Sequence, residues 1–230
     1  MTLVSNIARI NDIAKSARME SEITRFSPFQ AGCEAFHRIS PCFTSACPRM
    51  SYFSRTPLRH AFAMLLLDPA NPPHLDLTSR NGVMRRVEIA TRFREPSAAT
   101  TRGQVARGLA LLWHDHWEAA HEIAQSDEGN PDHDLLHAFV HRREGDFGNA
   151  GYWLRSAGGH ACFRLISRRV DGALSADHPF RKSVFPKGAW NPVAFLDAVR
   201  RGIGTPEENL LRALQAAEMI GYWEWLGGAE

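Results

Sequence analysis

A chain of 230 residues with 44% apolar and 23% charged side chains can bury a sizeable core, and its 27 Lys and Arg against 25 Asp and Glu leave a formal charge of +2. So even a balance supplies no field that would draw nucleic acid or an anionic lipid surface to the protein. The cysteines Cys33, Cys42, Cys47 and Cys162 form no C-x-x-C pair, which argues for neither a zinc ribbon nor a disulfide framework and makes a reducing cytoplasm the expected location.

The opening stretch MTLVSNIARINDIAKSARM spaces Leu3, Ile7, Ile10 and Ile13 at helical intervals with Arg9, Lys15 and Arg18 between them. It reads as a frayed leader, the alternative being a basic amphipathic helix that lies on a membrane. Through residue 98 the chain mixes Pro, Ser, Arg and Cys without sustained period, so residues 1–98 are expected to be an irregular or disordered extension with few ways to bury an apolar face. An internal start at Met84 is one reading of that half, and it would leave the patterned part intact. The apolar run at residues 61–67 falls far short of the roughly 20 residues that span a bilayer, so no transmembrane segment is expected.

Residues 99–230 read as one all-helical domain. Thr101 with Gln104, and Asp115 with Glu118, each have capping-box spacing, the first ahead of Val105, Leu109 and Leu112 and the second ahead of Ala120, Ile123 and Ala124. Asn130-Pro131 supplies an N-cap and first-turn proline for a third helix ending at Glu144, where Gly145 can turn left-handed. Asp146 then caps a fourth, ending near Gly158. Residues 160–170 are ambiguous between helix and strand, and residues 171–189 read as a long loop. Asn191-Pro192 and Thr205-Pro206 start two more helices over residues 193–201 and 207–226. At least six helices and no firm strand make the class all-α.

The string LLHAFVHRREGDFGNAGYWLRSAG resembles a tetratricopeptide repeat in Ala138, the Gly145-Asp146-Phe147 turn, Ala150 and Ala157, with a weaker copy around Trp117, thirty residues before Phe147. The resemblance implies antiparallel helix hairpins. With fewer than the roughly three repeats a solenoid needs, they should form a compact bundle. The strings AHEIAQ, LHAFVHRREGDFGNAGYW and WNPVAFLD are also similar to an uncharacterised family of bacterial and fungal helical proteins marked by AH, LHA, HR-x-EGD, NA and YW. That likeness covers about residues 103–226. It implies the extent of the domain and no chemistry, and residues 1–98 have no counterpart in it.

Eleven histidines is a high count, and seven of them fall in residues 114–160. Asp134, His137, His141 and Glu144 are spaced three, four and three apart, along one stripe of the third helix, opposite Leu135, Leu136, Phe139 and Val140. His121, on the stripe of Trp117 and Ala124, is expected to face them. Two histidines at i and i+4 with a third ligand suit zinc or iron, so His121, His137 and His141 are candidate ligands for a divalent metal. The plainer reading is a polar network of histidines and carboxylates that fixes how the helices dock. Asp146, Asn149, Tyr152 and Trp153 could line a pocket beside the stripe. Arg142 and Arg143 either oppose the helix dipole or clamp an anion. No H-E-x-x-H, P-loop, dinucleotide fingerprint or G-x-S-x-G occurs, and Ser156 and Ser167 have no spacing that links them to a histidine.

Three functions remain open. The first is a binding or assembly module whose His-rich pocket engages a peptide or another subunit. The second is a metal-dependent or general-base enzyme using His121, His137 and His141, with Asp134 or Glu144 orienting the base. The third is a purely structural protein.

Overall fold

The computed structural model describes residues 66–94 and 99–228, and the amphipathic pattern of the first residues and three of the four cysteines lie outside that range. Among the described residues the fold is all-α, with no strand. Its helices are α1 (Arg86–Arg92), α2 (Thr101–Trp113), α3 (Trp117–Gln125), α4 (Pro131–Glu144), α5 (Phe147–Ala157), α6 (Phe163–Ala173), α7 (Phe180–Val184), α8 (Pro192–Gly202) and α9 (Glu208–Gly228), with a 3-10 turn at Pro186–Gly188. Residues 160–170 are thus largely helical. The expected long loop contains α7 and the 3-10 turn, and α1 was not foreseen.

Side-chain caps account for most of the boundaries. Asn130 accepts from the Asp132 amide, Asp146 from Asn149 and Asn191 from Ala194, while Gly145 stops α4 at φ 78°. Two caps differ from the sequence reading. The hydroxyl that caps α2 belongs to Thr100, accepting from the Gly103 amide, and not to Thr101. Asp115 caps nothing, because His116 occupies the N-cap position of α3 and makes no side-chain cap bond. Asp115 instead has a left-handed backbone at φ 64°, a conformation its short polar side chain tolerates.

Helix α2 is the axis of the body. Val105 and residues 108–113 are all buried, and the helix meets α1, α3, α4 and α9. Glycine at position 108 permits a close approach: a Cβ there would stand 2.5 Å from Leu136 Cδ2 of α4. The hairpin partners α2 and α3, and α4 and α5, pack along each other, while α9 lies on α6, α8 and α2. In an open solenoid each unit touches only its neighbours, whereas here the last helix returns to the first long one.

Part of the segment read as irregular belongs to this body. Leu66, Leu67, Leu75 and Ile89 are buried in the same core as α2. His114 accepts from the Met84 amide at 3.1 Å through Nδ1 and so donates through Nε2 to Leu66 O at 2.7 Å. The guanidinium of Arg143 donates to Asp76 O, and Gln215 donates to His74 O. A start at Met84 would therefore remove core, contrary to the sequence reading. The segment was missed because side chains from distant helices hold its backbone, and no period of its own marks it.

Burying a leucine side chain contributes about 1.5–3 kcal/mol, so a protein comprising residues 84–230 is expected to lose several kcal/mol relative to the full chain. Thermal unfolding of the two should show the shorter one melting at least about 10 °C lower or failing to fold. Equal midpoints would contradict the role given to Leu66, Leu67 and Leu75.

Candidate metal centre

Helix α4 brings most of the site, and its neighbours fix its position. Although its sequence reads as one apolar and one polar face, residues 133–143 are all buried, because α3 and α5 cover the polar stripe. His133 Nδ1 lies 2.9 Å from Ile123 O at the end of α3. Asp134 accepts from the Gly129 amide at 2.9 Å and from the Ser156 hydroxyl at 2.6 Å. These bonds lock the α3–α4 turn and tie α5 to it.

Within that frame His121 of α3 meets His137 and His141 of α4. One ligand atom from each lies within 4.8 Å of the others. The Nε2 atoms of His121 and His137 are 2.8 Å apart. Glu144 spans the other two rings: one oxygen is 2.8 Å from His141 Nδ1 and the other 3.4 Å from His121 Nδ1. On its far side His137 is sandwiched, with the His141 ring at 4.7 Å and the Trp153 ring at 4.2 Å, both nearly parallel to it.

A carboxylate accepts only, so Nδ1 of His141 donates to Glu144, while His121 Nδ1 faces the same carboxylate at 3.4 Å, beyond hydrogen-bond geometry. Of the facing Nε2 atoms of His121 and His137 one donates and the other accepts, and Nδ1 of His137 is buried with no hydrogen-bond partner. Protonation of His137 and of His121 is suppressed. Burial first, then the neighbouring His141 and His121, push His137 down to about 3, and burial lowers His121 against the pull of Glu144.

The other expected pocket residues go elsewhere. Asp134 is consumed by the turn and by Ser156. Arg142 is buried over the rings of Phe139 and Phe195, with Nη1 2.6 Å from the wholly buried Glu218 of α9. Arg143 donates to Leu112 O and Asp76 O and pairs with Asp115, which also holds Arg80. Neither arginine is a surface anion clamp. Asp146 and Asn149 are exposed and bonded to each other as the cap of α5. Tyr152 is 56% exposed, its ring set edge-on against Trp153.

Several groups were not singled out from sequence. Besides Asp115 and Glu218 there is Asp132, which accepts from Trp225 Nε1 and lies 2.9 Å from His160 Nε2. Both nitrogens of His160 are used, since Nδ1 accepts from the Cys162 amide, so the ring keeps no free nitrogen for acid–base work. An open cavity of about 810 Å³ lies between α1, α2 and α3, and one of about 360 Å³ beside His160 and Trp225. Neither includes a ring of the triad.

Compared with known proteins, the chain matches no family model, no curated protein and no solved structure.

Two consequences can be measured. Removing one partner of a buried ion pair leaves the other charge unsolvated, so Arg142→Met alone should cost about 3–5 kcal/mol in urea unfolding. Arg142→Met with Glu218→Leu should cost much less; if the double variant is as unstable as the sum of the singles, the pair is not coupled. The second concerns acid. Unfolded, His137 titrates near 6.5, while folded it stays neutral to about 3. Between those values the unfolded chain binds a proton that the folded one refuses, so stability falls as pH falls below about 6.5, by up to about 1.4 kcal/mol per pH unit for that proton. His121 and His114, lowered in the same direction, add to the slope. In chelator, His137→Gln should flatten the dependence between about pH 7 and pH 5, and an unchanged slope would refute the assignment.

Proposed function

We propose that this protein binds one divalent transition-metal ion through His121, His137 and His141, with Glu144 as the outer carboxylate. The observation that carries the reading is the convergence of three imidazoles, two of which, His121 and His141, turn Nδ1 toward one glutamate. A histidine ligand needs a lone pair aimed at the ion and, on its other nitrogen, a proton held by a carboxylate or carbonyl. His141 meets the second part of that condition, and His121 turns its Nδ1 to the same carboxylate at 3.4 Å. Imidazole sets suit zinc, iron, copper or nickel, and not calcium or magnesium.

Binding asks for modest movement. Tetrahedral ligands at the usual metal–nitrogen length stand about 3.3 Å apart. The 2.8 Å contact of His121 with His137 must open by roughly half an ångström and the widest separation must close. Side-chain rotation supplies such shifts, most readily at His121, the most exposed of the three.

The residues that carry the family resemblance are those of the cluster: AH contains His121, LHA contains His137, HR-x-EGD contains His141 and Glu144, and YW contains Trp153. We infer that the family shares the site. A peptide-binding role has less support, because Asp134 and Arg142, expected to line its pocket, are engaged in internal bonds. The polar-network reading is favoured by the 2.8 Å His121–His137 contact, and metal titration separates the two.

Calorimetric titration of the metal-free full chain with zinc or nickel should show one site. Saturation at a hundredfold excess over Kd should stabilise the fold by about 2.7 kcal/mol, reversed by chelator. His121→Gln, on the most exposed ring, should fold and lose binding, and Glu144→Gln should weaken it by about 10- to 100-fold. A wild-type protein that takes up no metal and melts identically with and without it returns the cluster to a structural network.

A further inference from the structure

Resting on that metal reading, we infer that the bound ion keeps a coordination position open to solvent beside His121 and takes there a small oxygen- or nitrogen-donor monoanion.

The count of ligands is the first support. Among the described residues the converging group has three members, and a tetrahedral ion needs a fourth ligand. The carboxylates that could close the shell are committed. Glu144 reaches two Nδ1 atoms with its two oxygens, Asp134 is held by Gly129 and Ser156, and Asp146 is held by Asn149. Glu118, one turn before His121 and exposed, is the nearby acid without such a bond, so it is the competitor to be tested.

The direction of approach follows from packing. On one side the Trp153 ring closes over His137, and His141 closes the other. The side chains of His121 and Glu144 retain 23% and 17% of their exposure, so solvent reaches the cluster along that edge.

Size and charge define the ligand. A divalent ion with three neutral imidazoles and the Glu144 carboxylate leaves one net positive charge, which a monoanion cancels. Arg142 and Arg143 are spent on Glu218 and Asp115, so no cationic clamp is present for a polyanion. Trp153 and His141 stack on His137 and leave the edge at His121 and Glu144 as the approach, which suits a hydroxide or a simple carboxylate better than an extended substrate. Ions held by three protein ligands keep water or substrate in the fourth place, whereas closed four-ligand sites are structural.

The test uses the full chain loaded with cobalt(II), whose visible bands report coordination, titrated separately with azide and with acetate. The expected result is a saturable change in band position and intensity at millimolar anion, one anion per cobalt, retained in Glu118→Gln. Bands that appear on loading but do not respond to either anion would overturn the open position and leave the metal reading standing. A response that appears only in Glu118→Gln would show that Glu118 closes the shell, which also overturns it. If no cobalt binds and zinc titration is equally silent, the metal reading itself fails.

Discussion

A helix that buries two arginines, three histidines and an aspartate needs a partner for each of those groups, because breaking a buried ion pair costs about 3–5 kcal/mol. Helix α4 meets that condition through groups drawn from all round the body. Glu218 comes from α9, Asp115 from the α2–α3 turn, the Asp76 carbonyl from the segment before α1, Ser156 from α5 and the Ile123 carbonyl from α3. Apolar packing would accept many arrangements of such helices, whereas these directional bonds accept few. The polar demand of one helix therefore helps to specify how the others are placed, including the otherwise featureless stretch that contains Leu66 and Leu75.

Legibility in the sequence followed the range of the interaction concerned. Asn130-Pro131, Gly145 and Asn191-Pro192 act within a turn of their own position, and the helices they delimit stand where the pattern puts them. The convergence of His121, His137 and His141 was also readable, because spacing of four on one helix and a short α3–α4 turn leave those rings little choice of neighbour. Asp115 shows where local signals stop. Its spacing to Glu118 is that of a capping box, yet its carboxylate is taken by Arg80 and Arg143, from positions 35 and 28 residues away. Arg142 shows the same limit, since the helix-dipole argument needs only its own helix while Glu218 lies on α9. The docking of residues 66–94 was invisible for a related reason: backbone carbonyls do the bonding, and carbonyls leave no trace in composition.

Against this background the histidine cluster is the exception on α4. Its other polar groups reach outward to distinct elements and pair there, although Nε of Arg142 also lacks a partner. The three imidazoles and Glu144 are instead partners mainly of one another, and the arrangement leaves one buried nitrogen of His137 without a partner. An unsatisfied buried polar atom costs about 1–3 kcal/mol, which an apolar side chain at the same place would avoid. The metal reading would give the three imidazoles a common partner, since a histidine ligand presents a lone pair to the ion and an anchored proton on its other nitrogen.

The position of Glu144 sharpens that argument. It is the last residue of α4, beside the left-handed Gly145, where the helix dipole ends in partial negative charge and a carboxylate is disfavoured by about 0.3–1 kcal/mol. Helix design alone would place lysine there. A glutamate at that point must be compensated by what it holds, and what it holds is the Nδ1 atoms of two histidines on two helices. A cation among those rings would lie near the end of α4 that attracts positive charge and close to the carboxylate. Under the metal reading the acid at the wrong end of its helix becomes favourable, because a positive ion among the rings would sit beside that carboxylate and that helix end.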